Sequence, residues 1–408
     1  MSTHTVRTLE MFEGGIATPQ GFTASGQYVG IKAEGRGLDL ALIVSDRPAT
    51  AAAVFTTNKA QAAPVLVSKE HLAASRGVAR AVIVNSGCAN ACTGEKGLQD
   101  AHDMASLTAA LVDCPVDQVL VASTGVIGVN LKMDRIREGL PTSIAALGAD
   151  QGPAAARAIM TTDPFPKEAA ARMTINGAHV TVGGMAKGSG MIEPMMATML
   201  GFVTTDAAVP QPMLLRALRE AVDDTFNAIT VDGECSTNDC VMILANGASG
   251  VTIDDTSYDA FAEAVRAVCL PLAIGIVRGG EGATKLVTVT VTGAATSAEA
   301  RRCAKAIANS LLVKTAIHGA DPNWGRLVAV AGRAGVAFDL DRAAVTIGPL
   351  VLFKDGRPHD EAASDASNYL KLGEVAVGVN LGAGSASSTV WTCDLSAEYV
   401  KINAEYRT

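Results

Sequence analysis

Lys187-Gly188-Ser189-Gly190 opens the stretch of this chain where residue types and spacing point to covalent chemistry. The stretch runs from Met185 to Asp206 and reads MAKGSGMIEPMMATMLGFVTTD. After the glycine-broken basic turn come Glu193-Pro194, two methionines and the bond Ala197–Thr198, followed by an apolar run to Thr204. A polar, turn-rich approach to an apolar run predicts the start of a buried strand. A threonine hydroxyl is a poor nucleophile alone, but its own α-amine can take its proton if the chain is cut before it. The expectation is self-cleavage at Ala197–Thr198, followed by acyl transfer on Thr198. Against it stands the ordinary role of such a threonine, a β-branched residue that suits a strand.

Other segments hold groups that could serve that chemistry. Strand-like Gln118 to Ala122 ends in Ser123-Thr124-Gly125, a hydroxyl beside a glycine amide. An anionic tetrahedral intermediate needs such paired, fixed donors, although Ser-Thr-Gly turns are common. Strand-like Ala81 to Val84 runs into Asn85-Ser86-Gly87-Cys88-Ala89-Asn90, a polar loop where α/β folds often bind ligands. Thr161-Thr162-Asp163-Pro164 is a turn signature. Asp232 to Asp239 (DGECSTND) is acid- and hydroxyl-rich but lacks the EF-hand pattern, so it is read as a loop that shapes the site without a metal. Glu281 lies between Gly280 and Gly282, which lets a carboxylate sit on a tight turn. The Lys-Gly-Ser turn is not a P-loop, because Gly-x4-Gly-Lys-Ser/Thr is absent.

The elements that must position these groups follow from periodicity. Strands are expected at Leu38–Val44, Ala51–Phe55, Ala81–Val84, Gln118–Ala122, Thr174–Val182 (with a turn at Asn176-Gly177), Cys240–Ala245, Leu286–Thr292, Leu327–Ala331, Ala344–Ile347, Val375–Val379 and Thr389–Cys393. Helices are expected at Leu98–Val112, Pro153–Met160, Gln211–Phe226 and Tyr258–Val277. Another should start from the capping box Thr296-Ser297-Ala298-Glu299 and run to about Leu312. The fold class is α/β, with layers of alternating strands and helices and the nucleophile on a central strand. The tail DLSAEYVKINAEYRT carries Tyr399, Val400, Ile402 and Tyr406, so it should dock rather than fray.

Bulk composition narrows the function classes. A chain of 408 residues with 49% hydrophobic content can bury a large core. Its net charge of -8 and lack of a basic run argue against a nucleic-acid surface. The start MSTHTVRTLEMFEGG does not read as a secretory signal, and no apolar run reads as a membrane span. Eight scattered cysteines, without Cys-x-x-Cys or a neighbouring histidine at metal spacing, suggest buried thiols. A cytoplasmic location is the default expectation.

The run KGSGMIEPMMATML resembles the self-cleavage segment of the glutamate N-acetyltransferase (ornithine acetyltransferase) family of arginine biosynthesis. Gly280-Glu281-Gly282-Ala283-Thr284-Lys285 and Val313 to Arg326 match further family segments, and the likeness extends from near Leu38 to Thr408. The resemblance implies a layered α/β sandwich of N-terminal-nucleophile-like type, self-cleaved into interleaved chains of residues 1–197 and 198–408. Two such two-chain protomers would form a heterotetramer. It assigns Thr198 as nucleophile, Thr124 and Gly125 as oxyanion hole, and Ala197–Thr198 as the cleaved bond. Substrate contacts fall on Thr162 (with Thr161 as neighbouring alternative), Lys187, Thr198, Glu281, Asn403 and Thr408. Lys187 would meet a carboxylate and Glu281 an amine. The segment around His318 is assigned to architecture. The implied reaction moves acetyl from N-acetylornithine to glutamate through an acetyl-threonine, with no metal or cofactor. Acetyl-CoA would enter as a second substrate at most, and these residues do not show whether it does. The rival is an amidohydrolase or aminopeptidase of similar fold, in which water takes the acyl group.

Overall fold

The computed structural model describes residues 9–175, 177–193 and 199–405. The N-terminal region carries β1 (Leu9–Phe12), β2 (Phe22–Gln27), β3 (Leu40–Phe55), α1 (Ala63–Ala74), β4 (Val78–Cys88), α2 (Gly94–Val112) and β5 (Val119–Val126). Then come α3 (Met133–Ala145), α4 (Gly152–Ala158), β6 (Lys167–Ile175), β7 (Ala178–Lys187), β8 (Leu200–Thr205), α5 (Gln211–Asp224), β9 (Cys240–Ala245) and α6 (Tyr258–Arg278). The C-terminal third holds β10 (Leu286–Ala294), α7 (Ser297–Ala308), α8 (Leu311–His318), α9 (Trp324–Arg333), β11 (Ala344–Ile347), β12 (Leu350–Lys354) and β13 (Arg357–Pro358). It closes with α10 (Ala363–Leu370), β14 (Glu374–Asn380), β15 (Ala386–Cys393) and α11 (Ala397–Glu405).

Two sheets organise these elements. The larger has the order β1-β6-β7-β8-β9-β3-β4-β5, with β2 also paired to β3. The smaller has the order β13-β12-β11-β14-β10-β15. In the larger sheet β8 is antiparallel to β7 and parallel to β9, so two strands that follow Thr198 lie between strands that precede it. This interleaving agrees with the expected layered α/β architecture. β8 is buried along its whole length, because its two faces belong to different cores. Val203 packs with Val241, Ile243 and the helices α5 and α6, whereas Leu200 and Phe202 pack with Met185, Met242 and α4. A strand covered on both faces reads as an apolar run, which is why its start was visible.

Several expectations need correction. Leu38–Val44 and Ala51–Phe55 are not separate strands but parts of β3, which shifts register between Val44 and Ala49. The irregularity lets exposed Asp46, Arg47 and Pro48 leave the ladder while the strand continues. Leu327–Ala331 is helical, not a strand: Leu327, Val330 and Ala331 fall on one buried face of α9, and the Asn323 side chain caps it by accepting from Arg326 N at 3.2 Å. The capping box is real, since Thr296 Oγ1 accepts from Glu299 N at 3.2 Å. However, α7 stops at Ala308, and Ser310 starts a new helix by accepting from Val313 N at 3.4 Å. Among the elements not drawn from the pattern are helices α3 and α10 and strands β6 and β12. By length and hydropathy α6 is apolar enough to cross a membrane, contrary to the sequence reading, yet Phe261, Val265, Val268, Leu272 and Ile276 are buried in the core beneath it.

Candidate active site

Two strand ends build one wall. β4 and β5 run parallel, with Ser86 opposite Thr124 and Gly87 opposite Gly125. Gly125 has φ +130°, and a Cβ there would lie 2.4 Å from the Gly87 carbonyl carbon and 2.6 Å from the Cys88 nitrogen. Both the backbone angle and the space demand glycine. The neighbouring polar loop is largely committed to structure: Asn85 Nδ2 donates to Cys88 O at 2.9 Å, and Ser123 Oγ donates to Asn85 Oδ1 at 2.5 Å. Asn238 Nδ2 joins both strand ends by donating to Ala89 O at 2.6 Å and Ser123 O at 2.9 Å.

Lys187 ends β7 opposite Leu200, the first residue of β8. Its buried ammonium donates to Thr124 Oγ1 at 3.0 Å. A hydroxyl that accepts from a cation keeps its own proton to donate elsewhere, and polarisation makes it the better donor. Burial pushes the Lys187 ammonium below the usual lysine range, while the Asp163 carboxylate opposes that shift. In this structure the Lys187 ammonium, for which a substrate carboxylate was the expected partner, donates to Thr124.

Asp163 organises the next wall. Its Oδ1 accepts from Lys167 Nζ at 2.6 Å and from Gly188 N at 2.7 Å, and its Oδ2 accepts from Thr161 N at 3.1 Å. One carboxylate thus joins the Thr-Thr-Asp turn to the Lys-Gly-Ser-Gly turn. Burial pushes this carboxyl up, but the charges of Lys167 and Lys187 and the two hydrogen bonds outweigh it and hold it below the ordinary value. Both Thr161 and Thr162 line the cavity, so the alternative between them stays open.

The opposite wall is built from the second half of the chain. Glu281 is buried; its Oε2 accepts from Asn403 Nδ2 at 2.8 Å, and its own N donates to Ser189 O at 2.9 Å. A Cβ at Gly190 would lie 2.4 Å from Glu281 Oε2, so this glycine gives the carboxylate room. Asp232 accepts from Met191 N at 2.7 Å and Ile192 N at 2.8 Å, and from the Tyr399 hydroxyl at 3.3 Å. The C-terminal helix therefore docks as expected, but through the Tyr399 hydroxyl and the Asn403 amide, while Val400 is exposed. His318 serves architecture: its Nδ1 lies 2.6 Å from Asp394 Oδ2, and Asp394 accepts from the backbone of Thr284 and Lys285 beside the Glu281 loop.

These walls enclose a cavity of about 140 Å³ that brings together Thr124, Gly125, Thr162, Lys187, Glu281 and Asn403. Ala197, Thr198 and Thr408 lie outside the described residues, although Met199, covalently next to Thr198, lines the cavity. The sequence reading gave Asp163 and Tyr399 no place in the site, and it included Asn238 and Asp239 only within the Asp232–Asp239 loop read as shaping it, without singling either out. Asp163 had been noticed only as a turn residue. Asp239 directly precedes the apolar run of β9, the kind of strand-end position that should have been flagged.

The family model described as "ArgJ family" matches residues 23–408. The arginine biosynthesis bifunctional protein ArgJ of Symbiobacterium thermophilum is 51% identical over 406 residues, covering 98% of this chain and 100% of that protein. Its counterpart in Synechococcus sp. is 49% identical over 407 residues, covering 97% and 98%. The solved ornithine acetyltransferase of Mycobacterium tuberculosis, complexed with ornithine, is 42% identical over 45% of this chain and 97% of its own, with TM-score 0.42.

Proposed function

Because this chain belongs to the ArgJ family, we propose that it is a self-processing acyltransferase that moves acetyl from N2-acetyl-L-ornithine to L-glutamate in cyclic arginine biosynthesis. The observation that carries this reading is the Lys187–Thr124 hydrogen bond beside Gly125, in a cavity that Met199 also lines.

The steps follow from the parts. In the precursor the Thr198 hydroxyl attacks the Ala197 carbonyl; the C–N bond breaks as the departing Thr198 amine takes up the proton, leaving an ester, and water then cleaves that ester to free the Thr198 hydroxyl and the Ala197 carboxylate. The products are residues 1–197 and 198–408. In the cleaved enzyme the amine accepts the hydroxyl proton as Thr198 attacks the acetyl carbonyl. Thr124 O–H and Gly125 N–H donate to the oxyanion, with Lys187 strengthening the Thr124 donor. Collapse expels ornithine, whose leaving nitrogen takes the proton, and leaves acetyl-Thr198. Glutamate then attacks that ester through its amine. Glu281, braced by Asn403, suits a substrate ammonium. Thr162 and Thr408 complete the contacts.

The catalytic steps require no metal or cofactor. Relatives are named bifunctional, and acetyl-CoA as a second acetyl donor to glutamate fits the same acceptor chemistry. The working assembly is a cytoplasmic heterotetramer of two chains of each kind, acting on small molecules. Product analysis tests the reaction: with N-acetylornithine and glutamate present, acetylglutamate and ornithine should form in equal amounts. Free acetate without acetylglutamate would mean that water is the acceptor and would overturn the transferase reading.

A further inference from the structure

Asp239 lines the cavity, yet the steps above give it no task. Its place is fixed by the sheet. Cys240 opens β9 opposite Leu200, and Cys240 N donates to Met199 O at 3.1 Å. Asp239 thus sits at the site end of the strand pair that leads away from Thr198. Its main chain is held as well, since Thr56 N donates to Asp239 O at 2.9 Å.

The side chain is the unusual part. Asp239 is 2% exposed, and its Oδ2 has no hydrogen-bond partner among the described residues. Buried carboxylate oxygens are normally satisfied, because leaving one unpaired away from water is costly. The groups that face it are few: Ser236 hydrogen-bonds to the carboxyl, Lys187 contributes a positive charge from β7, and the thiols of Cys235 and Cys240 lie within electrostatic range. The Lys187 ammonium donates to Thr124 and makes no hydrogen bond to Asp239 Oδ2. Asp239 lines a cavity where amines react, and an unpartnered carboxylate oxygen there is matched by an amine N–H.

We propose that Asp239 is the receptor for a primary amine in the acyl-transfer pocket, with Oδ2 accepting a hydrogen bond from its N–H. The proposal rests on the acyltransferase reading and deepens it. The amine has two sources: the α-amine that cleavage frees on Thr198, or an amino group of the amino-acid substrate. In the first case Asp239 aims the base at its hydroxyl; in the second it selects the substrate.

Asp239→Asn tests this. Burial pushes the Asp239 carboxyl well above its usual range, so a neutral amide of the same shape suits its surroundings. The variant should therefore melt within about 3 °C of the parent. Acetylation of Thr198 by N-acetylornithine is first followed by mass spectrometry in the parent protein. Its absence there would refute the acyltransfer reading, not the role of Asp239. In cleaved Asp239→Asn, a Thr198 source predicts a fall of about 10- to 100-fold in the single-turnover acetylation rate, with the acid limb of the pH profile displaced and KM unchanged. A folded variant arrested before cleavage supports the same source, because Oδ2 then receives the departing amine. A substrate source predicts a KM increase of about tenfold or more, with the pH profile of the acetylation step unmoved. Unchanged KM, rate and pH profile would overturn the proposal. If Asp239→Asn does not accumulate, Asp239→Ala is titrated with formate: recovery of the acetylation rate supports the proposal, and no recovery contradicts it.

Discussion

Lys187 and Asp163 show how one buried charge is set by another. The lysine is almost sealed from water, its ammonium lowered by that burial, and its hydrogen bond goes to Thr124. Lys187→Met should leave Thr124 a weaker donor and lower kcat by about 10²- to 10³-fold, the range for loss of an oxyanion donor, with a smaller change in KM. Steady-state kinetics on cleaved protein checks this, and a change confined to KM would return Lys187 to a substrate-binding role. Asp163 is held below its ordinary pKa, so its stabilising contribution is present above the unfolded carboxyl value near 4 and lost as pH falls through the folded value. Melting temperature should therefore drop with acid more steeply for the parent than for Asp163→Asn/Lys167→Met, which removes both charges. Parallel curves below about pH 4 would contradict it. Of the site residues, Thr124, Gly125, Thr162, Lys187, Glu281 and Asn403 were legible because they stand in motifs. Asp163 and Asp239 were not, because what marks them is burial and partners from distant segments.

At the level of elements, periodicity worked where one face is buried and failed where short apolar runs are ambiguous. Cys240–Ala245 was read at its observed bounds because a strand buried on both faces is apolar throughout. Leu327–Ala331 was misread as a strand because five apolar or small residues fit either period; the capping Asn323 was the discriminating signal. The helix α11 holds Asn403 against Glu281 and Tyr399 against Asp232. Asn403→Ala should loosen Glu281 and raise KM for N-acetylornithine by about threefold to tenfold, the equivalent of one hydrogen bond, with little effect on kcat. The helix α5 is anchored by fully buried Leu218 in the core beneath β8. Leu218→Ala should cost about 2–5 kcal/mol, read from chemical denaturation.

For the whole molecule, the consequence of the topology is that a cut before Thr198 would not separate the halves. β8 bonds to β7 along Val182–Lys187, and β9 bonds to β3, so residues beyond 198 are hydrogen-bonded on both sides to residues before it. The cavity draws Thr124, Lys187 and Thr162 from one half and Glu281 and Asn403 from the other. Cleaved pieces should co-elute under native conditions and separate only in denaturant. The α/β layering was readable from strand and helix alternation, but this interleaving was not, because strand order depends on contacts between distant segments. The decisive measurement is the intact mass of the purified protein, before and after incubation with N-acetylornithine. The account predicts two polypeptides, ending at Ala197 and starting at Thr198, with one acetyl group appearing on the second at Thr198. A single uncut chain, or an acetyl group on another residue, would contradict it.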